Sequence, residues 1–564
     1  MANIEYKKWL DFKGLDSELS NELKAMDSAE IEEAFYKSLE FGTGGLRGII
    51  GAGINRMNVY TIRKANYGFA KYLLKYHPDA LERGIVIAHD NRNKSVEFSK
   101  ASASVFASFG IKTYLFDSLR PTPELSFAVR HLNAVGGIVV TASHNPPKYN
   151  GYKIYDEDGC QLVPRLADEV VEFVNSASDV FKIESMDFDD ALKAGLVEYI
   201  GKEIDDLYLD AVDTVQLDKD VQKVIKIIFT PLHGTSYKIG VETLERNGYN
   251  VIPVVEQLVN DPFFGTVKSP NPENKEAFDM AIEYGNRFNA DILIATDPDA
   301  DRLGVAVKHD GEYILLTGNQ TGAILVDYIL KTRKEQGTLP KKGMVYNTVV
   351  TSEFGAVIAK SYGMEVMSTL TGFKFIGEQA KVIEDTEYEF MFGYEESYGY
   401  VIKDFVRDKD SIQALLLISE IANKLLLEGK TLYDYLLDLY HVNGTFREDL
   451  VNIQLEGIAG EQRIKTIMDY FRVAKIENVL GVPIIVKEDY LLSERITNET
   501  TKIELPKSNV IKYILEDKSW FVLRPSGTEP KLKIYVGVVD SSIEVADLKI
   551  EKIVSEVLTI IDNI

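Results

Sequence analysis

Cysteine is nearly absent: one residue in 564, Cys160. An intramolecular disulfide and a cysteine-rich zinc site are therefore both excluded, and a reducing compartment is the simplest setting. Basic side chains are also in deficit, since 63 Lys and Arg stand against 87 Asp and Glu, a formal net charge of −24. Such a surplus repels a nucleic-acid backbone or an anionic membrane at long range, so any anionic ligand needs a local basic pocket. Long apolar runs are missing as well. No stretch of 18 residues is free of Asp, Glu, Lys and Arg, and the opening MANIEYKKWLDF carries charges where a signal peptide needs an apolar core. The expectation is a soluble cytoplasmic chain with no membrane or nucleic-acid partner. With only 40 Gly and 17 Pro, wholesale disorder is excluded.

What is present is globular: 45% hydrophobic and 27% charged residues, in a chain long enough for about four domains at roughly 150 residues each. The first forty residues read as a helical arm, with Asp27 and Glu30 spaced as a capping box ahead of Ile31, Ala34, Phe35 and Leu39. Beyond them, short β-branched runs alternate with longer amphipathic ones, for example 84–88 followed by 95–109, the signature of α/β layering with largely parallel strands. Polar breaks at 176–190, 308–312 and 443–449 are candidate boundaries. There is no clear short-period repeat.

Four apolar runs end abruptly in polar loops: GGIVVTASHNP (136–146), ADILIATDPDADR (290–302), EFMFGYEES (389–397) and WFVLRPSGTEPK (520–531). In open α/β sheets ligands collect beyond the carboxyl ends of strands, where backbone groups are exposed for binding. Four such loops suggest one shared cleft.

Each loop carries its own chemistry. Asp297, Asp299 and Asp301 alternate along a turn stiffened by Pro298, so their carboxylates can converge on one hard cation such as magnesium. The calcium-loop alternative fails, because Arg302 and Lys308 stand where an EF-hand needs Gly and Glu. A solvated acidic turn is the plain alternative; Arg302, placed to hold an anion beside a metal, argues for function. Ser143 follows an apolar run, and by itself reads as a turn residue or cap. Neighbouring His144 does not make a hydrolase triad, since no G-x-S-x-G elbow surrounds the serine. Lys153, ten residues on, can return to the same cleft, where burial and cationic neighbours would lower its pKa for proton work, unless it is a plain surface lysine. Arg524, Ser526, Gly527 and Thr528, with Lys533 two positions beyond Lys531, form a potential phosphate cradle, although turns between strands often read alike. Glu395, Glu396 and Ser397 can read sugar hydroxyls, although exposed turn acids would look identical in sequence. The glycine-rich FGTGGLRG (41–48), which contains Arg47, fits neither the dinucleotide fingerprint nor a P-loop.

Taken together and in this order, TASHNP with NGYK, DPDADR, TGFKF (371–375), GYEES and RPSGTEPK resemble the α-D-phosphohexomutase superfamily, most closely its long phosphoglucomutase and phosphomannomutase branch. The resemblance covers about 41–538. It implies three related α/β domains with mixed, largely parallel sheets and a smaller α+β C-terminal domain around one central cleft, here divided as 1–205, 206–315, 316–445 and 446–564. Ser143 would be the phosphoserine, with Asp297, Asp299, Asp301 and the serine phosphate holding Mg2+. Lys153 would be the general acid or base, with Arg47 and His144 beside the reacting phosphate and Arg302 in the cleft. Thr371, Gly372 and Lys374 fall in the specificity loop, Glu395 and Ser397 on the sugar, and Arg524, Ser526, Gly527, Thr528 and Lys533 on the distal phosphate. The implied activity is interconversion of glucose 1-phosphate and glucose 6-phosphate through glucose 1,6-bisphosphate, with mannose phosphates as further substrates, by a monomer or homodimer.

One position departs from the short bacterial members of that superfamily. They carry a histidine four places after the sugar-reading glutamate, where this chain has Gly399, so a second acid–base group is unassigned. The alternatives are a phosphopentomutase or hexose-bisphosphate synthase on the same fold, a non-catalytic sugar-phosphate sensor and, more weakly, a metallophosphatase.

Overall fold

The structure is a computed structural model that describes residues 2–40, 45–455, 457–526 and 531–564. It packs as two compact units, Met1–Thr321 with Phe373–Thr431, and Gly322–Gly372 with Leu432–Ile564.

The first unit opens with helices Ala2–Asp11, Ser17–Ala25 and Ser28–Phe35. The capping box forms as expected: Asp27 accepts from the Ala29 and Glu30 amides, and Glu30 accepts from the Asp27 amide. The arm is docked on its own unit. Trp9 is fully buried edge-on to Phe35 and Tyr60, Phe12 stacks on Phe181 at 4.0 Å, and the Glu22 carboxylate accepts from the Ala52 amide. Aromatic pairs of this kind contribute about 0.5–1.5 kcal/mol each beyond the area they bury.

A six-stranded sheet follows: β1 (Gly45–Ile49), β2 (Ile85–His89), β3 (Thr113–Phe116), β4 (Gly137–Val140), β5 (Tyr149–Tyr155) and β6 (Val197–Ile200), in the order β1-β5-β4-β2-β3-β6. The β4-β2-β3-β6 stretch is parallel, while β5 runs antiparallel to both β4 and β1. Central β2 is buried at every residue because helices cover both faces, one core containing Phe69 and Phe106 and the other Leu125 and Val129. The second sheet, β7 (Lys226–Thr230), β8 (Asn250–Pro253), β9 (Ile292–Thr296), β10 (Leu303–His309) and β11 (Glu312–Leu315), is ordered β11-β10-β9-β7-β8. It is parallel at β9-β7-β8 and antiparallel at its other edge, so both sheets are more evenly mixed than the sequence pattern suggests. The 308–312 break is the tight turn of the β10–β11 hairpin, so the sheet runs on to Leu315, a few residues past the break. Hairpin Glu389–Glu395/Gly399–Val401 and helix Ser411–Leu427 complete this unit.

The second unit contains parallel strands Gly343–Thr348 and Glu365–Thr369, helices Glu353–Ser361 and Leu432–Asn443, and an eight-stranded antiparallel sheet. Helices Gly457–Val473 and Ile543–Asp562 cover one face of that sheet, closing a core around Phe471, Tyr513, Phe521 and Val557. This is the expected α+β C-terminal domain. Among the described residues no helix is long and apolar enough to cross a membrane.

Candidate active site

Three strand ends of the first unit converge. Parallel β4 delivers the loop with Ser143, β9 delivers the aspartate loop, and antiparallel β5 returns Lys153 opposite Val139 of β4. Ser143 donates to Asp297 Oδ2 at 2.7 Å, across 154 residues of chain, and its Oγ lies 3.1 Å from His144 Nδ1. Each loop bends through a left-handed residue: Ser143 (φ +52°), Ala300 (φ +56°) and, in the Glu389–Val401 hairpin, Tyr398 (φ +65°). Such conformations are costly outside glycine and persist where surrounding structure enforces them. Here the enforcement is visible. Arg92, buried, donates to the carbonyls of Ser143, Asn145, Pro146 and Tyr149 and pairs with buried Asp90 at 3.2 Å. On the metal side, Ala300 O accepts from the Ser411 hydroxyl at 2.6 Å, and Arg302 bridges to Gly399.

Asp297, Asp299 and Asp301 are buried, and their ligand oxygens all lie within 4.8 Å of one another. Asp299 Oδ1 and Asp301 Oδ1 have no hydrogen-bond partner among the described residues. Three converging hard oxygens with unsatisfied acceptors are a fitting donor set for a small divalent cation, so the triad can hold a metal ion. Burial, and then repulsion from Asp301 and Asp299, pushes the Asp297 carboxyl well above the usual range. Burial also pushes Asp301 up, but Lys409, Lys153 and Arg302 outweigh it and hold that carboxyl far below the usual range.

Lys153 Nζ sits 2.8 Å from Asp299 Oδ2 and 3.2 Å from Asp301 Oδ2. Lys153 thus meets the aspartate loop, but the pKa expectation reverses. Burial pulls the ammonium down, yet Asp299, Asp301 and Asp408 more than compensate and raise it. Its neighbours are anionic, because residues 146 and 148 places away along the chain fold against it. His144 is pushed well below its ordinary value by burial, then by Arg302 and Arg47, so it is neutral. Arg47 donates to Asn145 Oδ1 at 2.9 Å, beside the serine loop. Arg302 is engaged by Glu273, and Glu395, buried, adds to the field that raises its pKa.

Lys374 is buried on helix Phe373–Ile383, its carbonyl accepting from the Cys160 thiol, and Ser397 lies in the turn of the Glu389–Val401 hairpin. Thr371 and Gly372 (φ +118°) end the first stretch of the second unit. That unit also carries Arg524, cross-strand partner of Lys533, and Ser526, whose amide closes the hairpin onto Lys531 O at 2.8 Å. Gly527 and Thr528 lie outside the described residues, as do 41–44 of FGTGGLRG.

Sequence reasoning passed over three residues. Thr122 donates from its hydroxyl to Asp299 Oδ2 (3.0 Å) and from its amide to Asp299 O (2.9 Å). Arg92 clamps the serine loop; the polar DNR after apolar β2 was its available signal, a fifth strand end like the other four. Lys409 places its ammonium 2.7 Å from Asp301 Oδ2, and no local pattern marks it.

Comparison with known proteins agrees with this geometry. Four family descriptions match in order: phosphoglucomutase/phosphomannomutase alpha/beta/alpha domain I at 38–180, domain II at 206–311, domain III at 317–442, and the C-terminal domain at 461–551. A phosphoglucomutase of Staphylococcus aureus (strain MRSA252) is 38% identical over 546 residues, 95% of this chain and 96% of its own. Among solved structures, the Paramecium pp63/parafusin phosphoglucomutase in its open form has a TM-score of 0.69 at 18% identity, covering 93% of this chain and 95% of that one. A phosphoglucomutase/phosphomannomutase family protein from Burkholderia thailandensis has a TM-score of 0.65 at 17% identity, covering 93% and 97%. At those identities the structures speak for the fold, and the sequence matches carry the rest: the chain belongs to the phosphoglucomutase/phosphomannomutase family.

Proposed function

We propose that the chain is a phosphoglucomutase, an isomerase that interconverts glucose 1-phosphate and glucose 6-phosphate by exchanging a phosphoryl group with Ser143 through glucose 1,6-bisphosphate. The observation that carries this reading is the 2.7 Å contact between Ser143 Oγ and Asp297, which joins a buried nucleophile to a buried triad fit for a cation. Phosphoryl transfer is catalysed mainly by positioning and charge neutralisation, and the residues suit both. Mg2+, held by Asp297, Asp299 and Asp301, would supply Lewis-acid neutralisation of phosphoryl charge when bound.

The chain's own residues do the rest. Arg92 fixes the carbonyls around Ser143, so its hydroxyl is presented in one orientation. Lys153 and Lys409, set against Asp299 and Asp301, would supply positive charge beside the serine or a proton toward a departing sugar oxygen. Arg47 and Arg302 flank a neutral His144. Glu395 and Ser397, with Thr371, Gly372 and Lys374, would read the sugar. Arg524, Ser526, Gly527, Thr528 and Lys533 would grip whichever phosphate is not reacting. The division at 205/206, 315/316 and 445/446 assigns one loop to each of four domains, and the enzyme would work on free sugar phosphates in the cytoplasm. The test is a panel of glucose, mannose and ribose 1-phosphates assayed with Mg2+ and trace bisphosphate. Glucose 1-phosphate is expected to turn over fastest, and faster turnover of ribose 1-phosphate would replace this reading with a phosphopentomutase.

A further inference from the structure

The second unit encloses a cavity of about 780 Å³ that has no part in the site described above. It lies between helix Glu353–Ser361 and the eight-stranded sheet, on the face whose outward positions include Lys512, Ile514 and Trp520; the intervening Ile511, Tyr513 and Phe521 belong to the core on the other side. The volume is within the ~300–1,000 Å³ range of small-molecule sites.

Its charge is the reverse of the molecule's. Five cationic side chains line it (Lys360, Arg495, Lys502, Lys512 and Lys518) against two acidic ones, Glu353 and Glu488, in a chain of net charge −24. Both acids are already engaged: Glu488 by the Tyr490 hydroxyl at 2.7 Å and by Arg495 at 3.3 Å, Glu353 by Lys512 at 3.8 Å. Lys502 pairs with Glu504 at the exposed edge, whereas Lys360 and Lys518 have no carboxylate partner among the described residues.

At the floor, Lys512 is 95% buried. Its ammonium has three donors, of which the Val349 carbonyl takes one at 3.0 Å, and the Trp520 ring faces it at 4.9 Å. Its nearest carboxylate, Glu353 at 3.8 Å, lies beyond hydrogen-bond distance, so the buried ammonium keeps donors that a ligand anion can take. Trp520 is not a free stacking platform, because its other face lies against Gly537, where a Cβ would approach within 2.3 Å. The apolar wall is formed instead by Val357, Ile514 and Val539, with Phe446 beside them.

We propose that this cavity binds a phosphorylated organic anion of mononucleotide size, its phosphates on Lys512 and the rim lysines and its body against the apolar wall. Ammonium groups act as point charges toward phosphate, and the rim holds several within one opening. The test uses ADP and inorganic pyrophosphate as probes, titrated calorimetrically into the full-length chain. A Lys360→Ser/Lys502→Ser/Lys518→Ser variant removes only exposed charges, and Lys512→Met removes the floor charge. Saturable ADP binding is expected, weakened at least tenfold in the rim variant and tighter than pyrophosphate binding, with KM for glucose 1-phosphate unchanged. No saturable heat at about 1 mM ADP, or equal affinity in the rim variant, would overturn the proposal, as would pyrophosphate binding tighter than ADP. Because binding is read directly, failure here is distinguishable from failure of the mutase reading, which shows in turnover.

Discussion

The side chain of Lys409 lies across the backbone of Gly399: a Cβ on the glycine would stand 2.2 Å from Lys409 Cδ and 2.6 Å from Cγ. The lysine thereby occupies the space that a larger residue at 399 would claim, and its ammonium reaches Asp301. Gly399→Ala should displace Lys409 and lower kcat/KM at least tenfold, or ~1.4 kcal/mol of transition-state stabilisation, with thermal stability changed far less. Lys409→Met should give a similar loss. Near-normal kcat/KM in both variants would remove Lys409 from the reaction.

The aspartate triad makes opposite demands on metal-free and metal-loaded protein. Mg2+ at about 100 times its dissociation constant should stabilise the fold by ~2.7 kcal/mol. Asp297→Asn relieves repulsion among the carboxylates while keeping an oxygen for the Asp301 and Arg302 amides. It should be about 1 kcal/mol more stable than the natural protein without metal, and should lose most of the Mg2+-dependent rise. Thermal melts in chelator and in Mg2+ check both halves.

Thr122 touches Asp299 through two hydrogen bonds, one from its hydroxyl and one from its amide. Thr122→Val should weaken Mg2+ or Mn2+ binding by roughly 10–100-fold, as loss of an orienting partner of a metal ligand does. Thr122→Ser should restore it. Calorimetric metal affinity is the readout, and unchanged affinity in the valine variant would refute the positioning role.

The serine and aspartate loops were legible in the sequence because an apolar strand that stops abruptly exposes its carboxyl end, as the strands Gly137–Val140 and Ile292–Thr296 do. What stayed hidden depends on distant partners. Lys153 reads as a base-forming lysine until Asp299 and Asp301 fold against it. Lys409 and Thr122 each meet the triad from elements more than a hundred residues away, with no local period to mark them. The 308–312 break sits a few residues ahead of the sheet's last strand, because hairpin turns and linkers share polar residues and glycine; strand pairing carries the sheet on to Leu315.

Asp410 makes stability depend on pH. It caps helix Ser411–Leu427, accepts from the Tyr208 hydroxyl and the Ile412 and Gln413 amides, and is pushed up from 3.8 to about 6 by burial. A carboxyl with a raised folded-state pKa costs nothing below about pH 4; the cost grows as pH climbs to 6, reaching up to about 3 kcal/mol. Asp410→Asn keeps the accepting oxygen and removes that cost. Its stability relative to the natural protein should therefore rise between pH 4 and pH 6.5. Urea midpoints at those two values give the comparison, and a constant difference would contradict it.

The most direct test of phosphoryl exchange is intact mass after incubation with glucose 1,6-bisphosphate and Mg2+, followed by a chase with glucose 1-phosphate. One phosphoryl group per chain should be found on Ser143, should leave during the chase, and should never form in Ser143→Ala. A chain that turns over glucose 1-phosphate with Ser143 unmodified, or a Ser143 phosphate that the sugar cannot discharge, would contradict the mechanism.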